Sequence, residues 1–244
     1  MAKNQKERKL DSKLIEVYNT RGLDTFLGVC GSMLNIRDSE NFKKKMQVNG
    51  EVCEVLLRVT TEHYLREHGI KGGVFHSLVL PNKYHPERDF RTEIDFTCVT
   101  PYVCMIGECK SFVGDVIATE KCTLTRTSPR YGTVTADVAR QTQVHWDTIN
   151  PYLQDYVRPN SGCPTPPAVA FCFMFSNGTL EDHRTRADQS ALPILTALDL
   201  FEYYDLLFRK CRKEVYDVKA ASKTFQAMAD SRILHIQHAN YLGY

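Results

Sequence analysis

Two carboxylates and a lysine lie close together near the middle of the chain, and this combination could do chemistry on a phosphodiester. Asp95 lies in the stretch Thr92–Phe96, and Glu108 and Lys110 follow in Ile106–Lys110. Carboxylate oxygens are the hard ligands that Mg²⁺ and Mn²⁺ prefer, and an ammonium group is a compact cation that can stabilise an attacking hydroxide. The set is the minimum equipment for metal-assisted phosphodiester cleavage.

The two stretches are predicted to form a β-hairpin. Between them lies Thr100–Val103, whose second residue is proline, and the fixed φ of proline favours a chain reversal at that position. A turn centred within this segment sets Asp95 opposite Glu108, and Glu93 opposite Lys110. Directly opposed Cβ atoms lie about 4.5–5.5 Å apart, so the two carboxylates repel unless a cation lies between them. A slip of one residue would send them to opposite faces.

A longer pattern around these residues resembles a known family. The pattern comprises a Thr-Glu-Ile-Asp strand, a Thr-Pro-Tyr turn, a Glu-x-Lys strand end, and then an aromatic residue, a glycine and a β-branched residue. In this chain the matching residues are Thr92-Glu93-Ile94-Asp95, Thr100-Pro101-Tyr102, Glu108-Cys109-Lys110, Phe112, Gly114 and Val116. The run resembles the nuclease-related domain, NERD, of the PD-(D/E)xK nuclease superfamily. The resemblance implies an α/β fold with a restriction-endonuclease-like core, in which helices flank a mixed central β-sheet.

The resemblance also implies two site residues on helices. Family members begin with a Gly-x-x-small-Glu helix, which corresponds to Gly50–Glu54 and makes Glu54 a helix-borne carboxylate. They carry a Gln four residues before a His or a basic residue, which corresponds to Gln141 and His145. The implied activity is Mg²⁺-dependent hydrolysis of DNA, with Mn²⁺ as a possible cation.

In this interpretation each residue has a role. Lys110 stabilises the nucleophile or the transition state, and the amide of Gln141 contacts the scissile phosphate. The cation ligands would be Asp95, Glu108, the backbone carbonyl of Cys109, and Glu54.

Two alternatives remain open from the sequence. The chain could be a catalytically inactive nuclease fold that serves as a nucleic-acid-binding or protein-interaction module, with the hairpin as a solvent-facing element. A cysteine-dependent enzyme using Cys109 or Cys104 with His145 has no supporting motif. One departure from the family pattern affects the hairpin: Val103 replaces a common glycine, and valine disfavours the positive φ that such a glycine implies.

Composition indicates a globular chain with no global attraction to nucleic acid. The chain has 244 residues, of which 43% are hydrophobic, and its net charge is +2. Any DNA contact must therefore come from local basic clusters, such as the one that includes Arg126. The nine cysteines include no Cys-x-x-Cys pair, which argues against a zinc ribbon and a secreted disulfide framework. No apolar run is long enough for a membrane span, so we expect a cytoplasmic protein without membrane contact.

Patterning predicts three parts: an N-terminal helical extension over 1–48, a nuclease-like core over 49–218 and a C-terminal helical tail over 219–244. The extension offers a surface for homo-oligomer formation. Within the core, Val74–Leu80 and Ala168–Phe175 are predicted strands. A helix is predicted from Ala136, after an N-cap at Thr135, to about Ile149, so that it ends before Pro151. Another helix, long and amphipathic, is predicted from Leu200 to Val218.

Overall fold

The computed structural model describes residues 2–34, 42–81, 90–128, 132–163, 165–235 and 240–241. It is an α/β protein with mixed β-sheets flanked by helices, which agrees with the predicted class. The helices are α1 Ala2–Leu34, α2 Phe42–Glu67, α3 Val138–Gln154, α4 Arg186–Ala191, α5 Leu200–Lys210 and α6 Val218–His235. The strands are β1 Gly73–Pro81, β2 Phe90–Val99, β3 Cys104–Phe112, β4 Val116–Thr119, β5 Thr123–Ser128, β6 Gly132–Asp137, β7 Ala168–Ser176, β8 Leu180–Asp182, β9 Ile194–Leu195 and β10 Asn240–Tyr241.

The strands form two sheets. In the first the strand order is β1-β2-β3-β7-β9, and β10 pairs with β2. The β1–β2 and β2–β3 pairs are antiparallel, whereas β7–β9 is parallel. The second sheet has the order β6-β5-β4-β8. The predicted strands Val74–Leu80 and Ala168–Phe175 are confirmed as β1 and β7.

The chain forms two compact units, each assembled from three segments. Unit 1 comprises Met1–His63, Cys109–Ala139 and Cys172–Ala197. Unit 2 comprises Tyr64–Glu108, Arg140–Phe171 and Leu198–Tyr244. The chain therefore crosses from one unit to the other inside α2, β3, α3 and β7. Among the described residues, no helix has the length and apolar character needed to cross a bilayer.

In unit 1 the first two helices contact each other through their side chains. The Tyr18 hydroxyl of α1 lies 2.9 Å from Nδ1 of His63 of α2, and the rings of these two residues meet edge to face. Helix α1 is interrupted at Gly22, whose φ of 79° lies in the left-handed region that glycine adopts without strain.

Elsewhere in unit 1, two glycines allow the bend after β3 to approach the bend after β7. A side chain at Gly178 would overlap the carbonyl group of Gly114. The Asn177 side chain accepts a hydrogen bond from the Gly114 N–H at 2.9 Å, and Asp115 accepts two from Thr179. These polar contacts, together with the missing Cβ, hold the two bends at backbone contact.

In unit 2 a hydrophobic core lies between strands and helices α3 and α6. Phe225 of α6 contacts the rings of Phe75 and Tyr152, at centroid distances of 5.7 and 6.5 Å. Trp146, which is partly buried, packs against this cluster.

The predicted start and end of α3 are wrong. Thr135 lies in strand β6, where it pairs with Thr125, and the ladder continues to the pair Asp137↔Thr123 before the helix begins. Pro151 lies inside the helix, which ends three residues later at Gln154. Near a helix end, few turns depend on the hydrogen bond that proline lacks, which explains why Pro151 is tolerated.

The predicted long helix from Leu200 to Val218 is also wrong, because α5 ends at Lys210 and α6 begins at Val218. The intervening chain is held by tertiary contacts. The backbone N–H groups of Val215 and Tyr216 donate to the Pro101 carbonyl, at 2.6 and 3.0 Å, and the Tyr216 hydroxyl donates to the carbonyl of Pro167. The spacing that suggested a helix reflects burial of these residues in the core.

Candidate functional site

The hairpin turn forms as predicted, and the Thr100 side chain stabilises it. The Thr100 hydroxyl donates to the Val103 carbonyl at 2.8 Å and accepts from the Val103 N–H at 3.1 Å. Val103 is not among the described non-glycine residues with positive φ, so this position does not need glycine. The β2–β3 pairs run from Val99↔Cys104 to Phe96↔Gly107, which confirms the predicted register for these residues.

Asp95 and Glu108 are the next residues of the two strands beyond the last of these pairs. Glu108 is 2% exposed, whereas Asp95 is partly exposed. Continuing the observed register by one residue would set Asp95 opposite Glu108, at the point where the regular ladder ends.

The pairing of strand β2 with strand β1 is also irregular at Asp95. Strands β1 and β2 pair continuously except at one position, where Ser77 would face Asp95. The φ of Ser77 is 49°, in the left-handed region, which is uncommon for a buried serine.

The irregularity changes which residues face the core of unit 2. Along β1, Phe75 and Leu78 both belong to this core although they are three residues apart; along β2, Ile94 and Val99 both belong although they are five apart. Odd spacings do not fit the alternation of a regular strand. The register is the same before and after this position, so neither strand contains an extra residue, and the alternation changes at the unpaired Ser77–Asp95 position, where Ser77 has positive φ. The backbone at Asp95 is therefore shaped by a local feature, and such features often redirect a side chain next to a functional site.

Helix α3 carries a direct partner of Glu108. Nδ1 of His145 lies 3.2 Å from Oε2 of Glu108, and both side chains are almost fully buried. About one turn further along the same helix, the Thr148 hydroxyl donates to the Thr92 hydroxyl at 3.2 Å. These two contacts fix the helix against the β2–β3 hairpin.

His145 is a site residue that was not assigned a role from the sequence. The spacing of four between Gln141 and His145 was the available signal, since it sets both on one helix face. Gln141 lies one turn before His145, and its Oε1 atom is buried with no hydrogen-bond partner. The amide of Gln141 is therefore able to bind a polar group next to the Glu108–His145 pair.

The remaining predicted residues, Glu54, Cys109 and Lys110, belong to unit 1. Here the thiol of Cys53 lies 3.7 Å from the Lys110 carbonyl and 4.0 Å from that of Phe173. A small side chain at Cys53 lets helix α2 approach these strands closely. Glu54, the next residue of the helix, and Lys110 are both partly exposed.

The donor set fits magnesium better than zinc. Among the described residues, no three His, Cys, Asp or Glu side chains are close enough together to hold a metal ion. Mg²⁺ is usually bound by only one or two carboxylates, with water and substrate phosphate completing the shell, whereas a structural zinc site needs four protein ligands. Asp95 and Glu108 supply the two carboxylates that a magnesium site needs, but they do not supply the four protein ligands of a structural zinc site.

The cysteine alternative is disfavoured for Cys104. Burial raises the pKa of this thiol well above its usual range, so the thiolate needed for nucleophilic attack is scarce.

Comparisons with known proteins return no match: the chain fits no protein-family model, and no curated protein or solved structure is significantly similar to it.

Proposed function

We propose that this chain is a Mg²⁺-dependent nuclease that hydrolyses phosphodiester bonds of DNA, with a core of the PD-(D/E)xK type related to NERD. One observation supports the proposal: the β2–β3 register agrees with the predicted one from Val99↔Cys104 to Phe96↔Gly107, and its continuation by one residue would set Asp95 opposite Glu108. The proposal assigns the cation to these two carboxylates, with Mn²⁺ as a substitute. The Cys109 carbonyl and Glu54 are the further assigned ligands.

A bound divalent cation would supply an activated water and offset the charge of the leaving oxygen. The chain's own residues do the rest. Glu108 lies against His145, with Nδ1 3.2 Å from Oε2, and this contact would limit the orientations of the carboxylate. Lys110 follows Glu108 by two residues in β3 and provides a fixed positive charge for the transition state. The Gln141 amide orients the phosphate, because an amide can donate to a phosphate oxygen without competing for the cation.

The test is cleavage of plasmid, linear and single-stranded DNA by purified protein, with Mg²⁺, Mn²⁺ or a chelator. Asp95→Asn, Glu108→Gln and Lys110→Met each keep the size of the side chain and remove its charge. We expect each to lower the cleavage rate at least about 100-fold. Glu202→Gln, at an exposed position on α5, is the matched control and should cleave like the wild type.

Circular dichroism of each variant checks that the fold is intact. Cleavage that persists in all three variants would show that the assignment is wrong, even if the protein is a nuclease. Calorimetry with Mg²⁺ separates loss of cation binding, expected for Asp95→Asn and Glu108→Gln, from loss of the catalytic charge alone, expected for Lys110→Met.

A second candidate, an inactive nuclease fold used for binding, is favoured by one observation. Glu108 is buried against His145, and such a pair can serve packing without any cation. This candidate predicts no cleavage under any of the conditions above and no heat of Mg²⁺ binding, together with retained binding of DNA or a protein partner.

A further inference from the structure

The second sheet carries two buried arginines in unit 1. Along β5 the side chains alternate, so that Leu124 and Arg126 are buried while Thr125 and Thr127 lie on the other, more exposed face. Arg126 is only 4% exposed. The second buried arginine, Arg184, follows strand β8 and is 6% exposed.

Arg184 has the partners that a buried guanidinium needs. Its Nε and one terminal nitrogen donate to the two oxygens of Asp182 at 2.9 and 2.8 Å, and the other terminal nitrogen donates to the Leu192 carbonyl at 2.6 Å. Each of the three guanidinium nitrogens of Arg184 therefore has a hydrogen-bond acceptor within the protein.

Arg126 differs in this respect. Its Nε is buried and has no hydrogen-bond acceptor. Among the residues that the structure describes, Arg126 also takes part in none of the salt bridges. Its register partners on the neighbouring strands, Val116 and Val134, have apolar side chains that accept no hydrogen bond.

A buried arginine does not become neutral by losing a proton, because the guanidinium stays charged at any physiological pH. Burial of an unpaired charge is costly, and native proteins avoid it by providing a counter-charge. The counter-charge for Arg126 is therefore expected from outside the described chain. The guanidinium fork matches two oxygens of a phosphate group.

We propose that Arg126 is the centre of a binding site for a small phosphate-bearing anion. The small exposed fraction of Arg126 limits the ligand to a compact oxyanion or a terminal phosphate. The site uses none of the residues assigned to DNA hydrolysis, so the two proposals succeed or fail separately.

The experiment is thermal unfolding of the full chain in increasing sodium phosphate, with sodium chloride at matched ionic strength as the reference. We expect a saturable rise in the melting temperature of the wild type, roughly 5–10 °C at a hundredfold excess over Kd. Arg126→Met removes the charge and replaces the arginine with an unbranched apolar side chain, so this variant should show no phosphate-dependent rise in melting temperature. Arg186→Met, at an exposed arginine in the same unit, should respond like the wild type.

Three results would overturn the proposal: no phosphate effect beyond that of chloride, an equal effect in Arg126→Met, or an Arg126-dependent response to acetate and not to phosphate. If Arg126→Met does not fold, Arg126→Lys replaces it, because lysine keeps the charge and lacks Nε and the fork. Broadening of the ³¹P resonance of phosphate by the wild type, and at least tenfold weaker binding by Arg126→Lys, is the expected result. Equal broadening by both would overturn the proposal.

Discussion

At the scale of single residues, the contact between His145 and Glu108 is the best-defined interaction of the candidate site. The distance between Nδ1 and Oε2 is 3.2 Å, and the two side chains are 6% and 3% exposed. A carboxylate at this depth needs a partner, because an isolated buried charge is strongly destabilising. In the proposed nuclease, His145 would therefore act through Glu108 as a positioning residue.

Replacing His145 separates positioning from packing. We expect His145→Ala to weaken Mg²⁺ binding about 10–100-fold, the usual effect of losing a residue that orients a metal ligand. His145→Asn sets an amide nitrogen near the position of Nδ1 and should restore most of the affinity. Calorimetry with Mg²⁺ measures both.

A purely structural role for His145 predicts a different result. Both variants would then change the unfolding free energy, and Mg²⁺ affinity measured on folded protein would stay equal to that of the wild type.

At the scale of elements, the turn between β2 and β3 determines which residues of the two strands oppose each other. Thr100 is fully buried, and its hydroxyl both donates to and accepts from Val103. The Pro101 carbonyl in the same turn accepts from Val215 and Tyr216, so the turn is also tied to the chain between α5 and α6.

Thr100→Val removes the hydroxyl and keeps the shape of the side chain. The Val103 N–H then loses its acceptor in a buried position, and we expect a loss of about 1–3 kcal/mol in the free energy of unfolding. Urea denaturation measures it. The control is Thr125→Val, whose hydroxyl makes only a long contact of 3.5 Å with Thr135, and we expect a change within about 0.5 kcal/mol. Equal effects of the two substitutions would contradict the assigned role of Thr100.

These elements also show what the sequence predicts and what it does not. The turn and the register follow from local chemistry, since Pro101 and the alternation of the flanking residues are visible in the sequence. The irregular backbone at Ser77 cannot be predicted, because serine gives no signal of positive φ. The ends of α3 and α5 were missed because strand pairing at Thr135 and burial of Tyr216 are tertiary effects that override local periodicity.

The candidate site is also only partly predictable from the sequence. Asp95, Glu108 and the face of α3 that carries Gln141 follow from spacing. The contact between His145 and Glu108 does not, because spacing along one helix cannot reveal which strand residue the helix will meet.

At the scale of the whole molecule, two aspartates make stability depend on pH. Hydrogen bonds from the Arg184 side chain lower the pKa of Asp182 below its ordinary value of 3.8. Hydrogen bonds from the Thr179 backbone and side chain lower the pKa of Asp115. Because the folded state favours the charged form of both groups, their contribution is complete above pH 3.8 and is lost as the pH falls below it.

We therefore expect the urea midpoint of the wild type to decrease steadily below about pH 4. Asp182→Asn should be less stable at pH 7 by about 1–3 kcal/mol, since Arg184 loses its charged acceptor, and its further loss below pH 4 should be smaller. A pH profile of Asp182→Asn parallel to that of the wild type would contradict this linkage.

The path of the chain through its two units has a consequence for synthesis. Unit 1 needs residues up to Ala197, and unit 2 needs residues from Tyr64 to the C-terminal region. Neither unit is a continuous stretch, so unit 1 is incomplete until Ala197 has been made, and unit 2 is incomplete until the segment that begins at Leu198 has followed. Any fragment that contains all of one unit also contains segments of the other. Contacts between residues distant in sequence must form late, which slows folding. We expect the nascent chain to depend on protection from aggregation until its final third emerges.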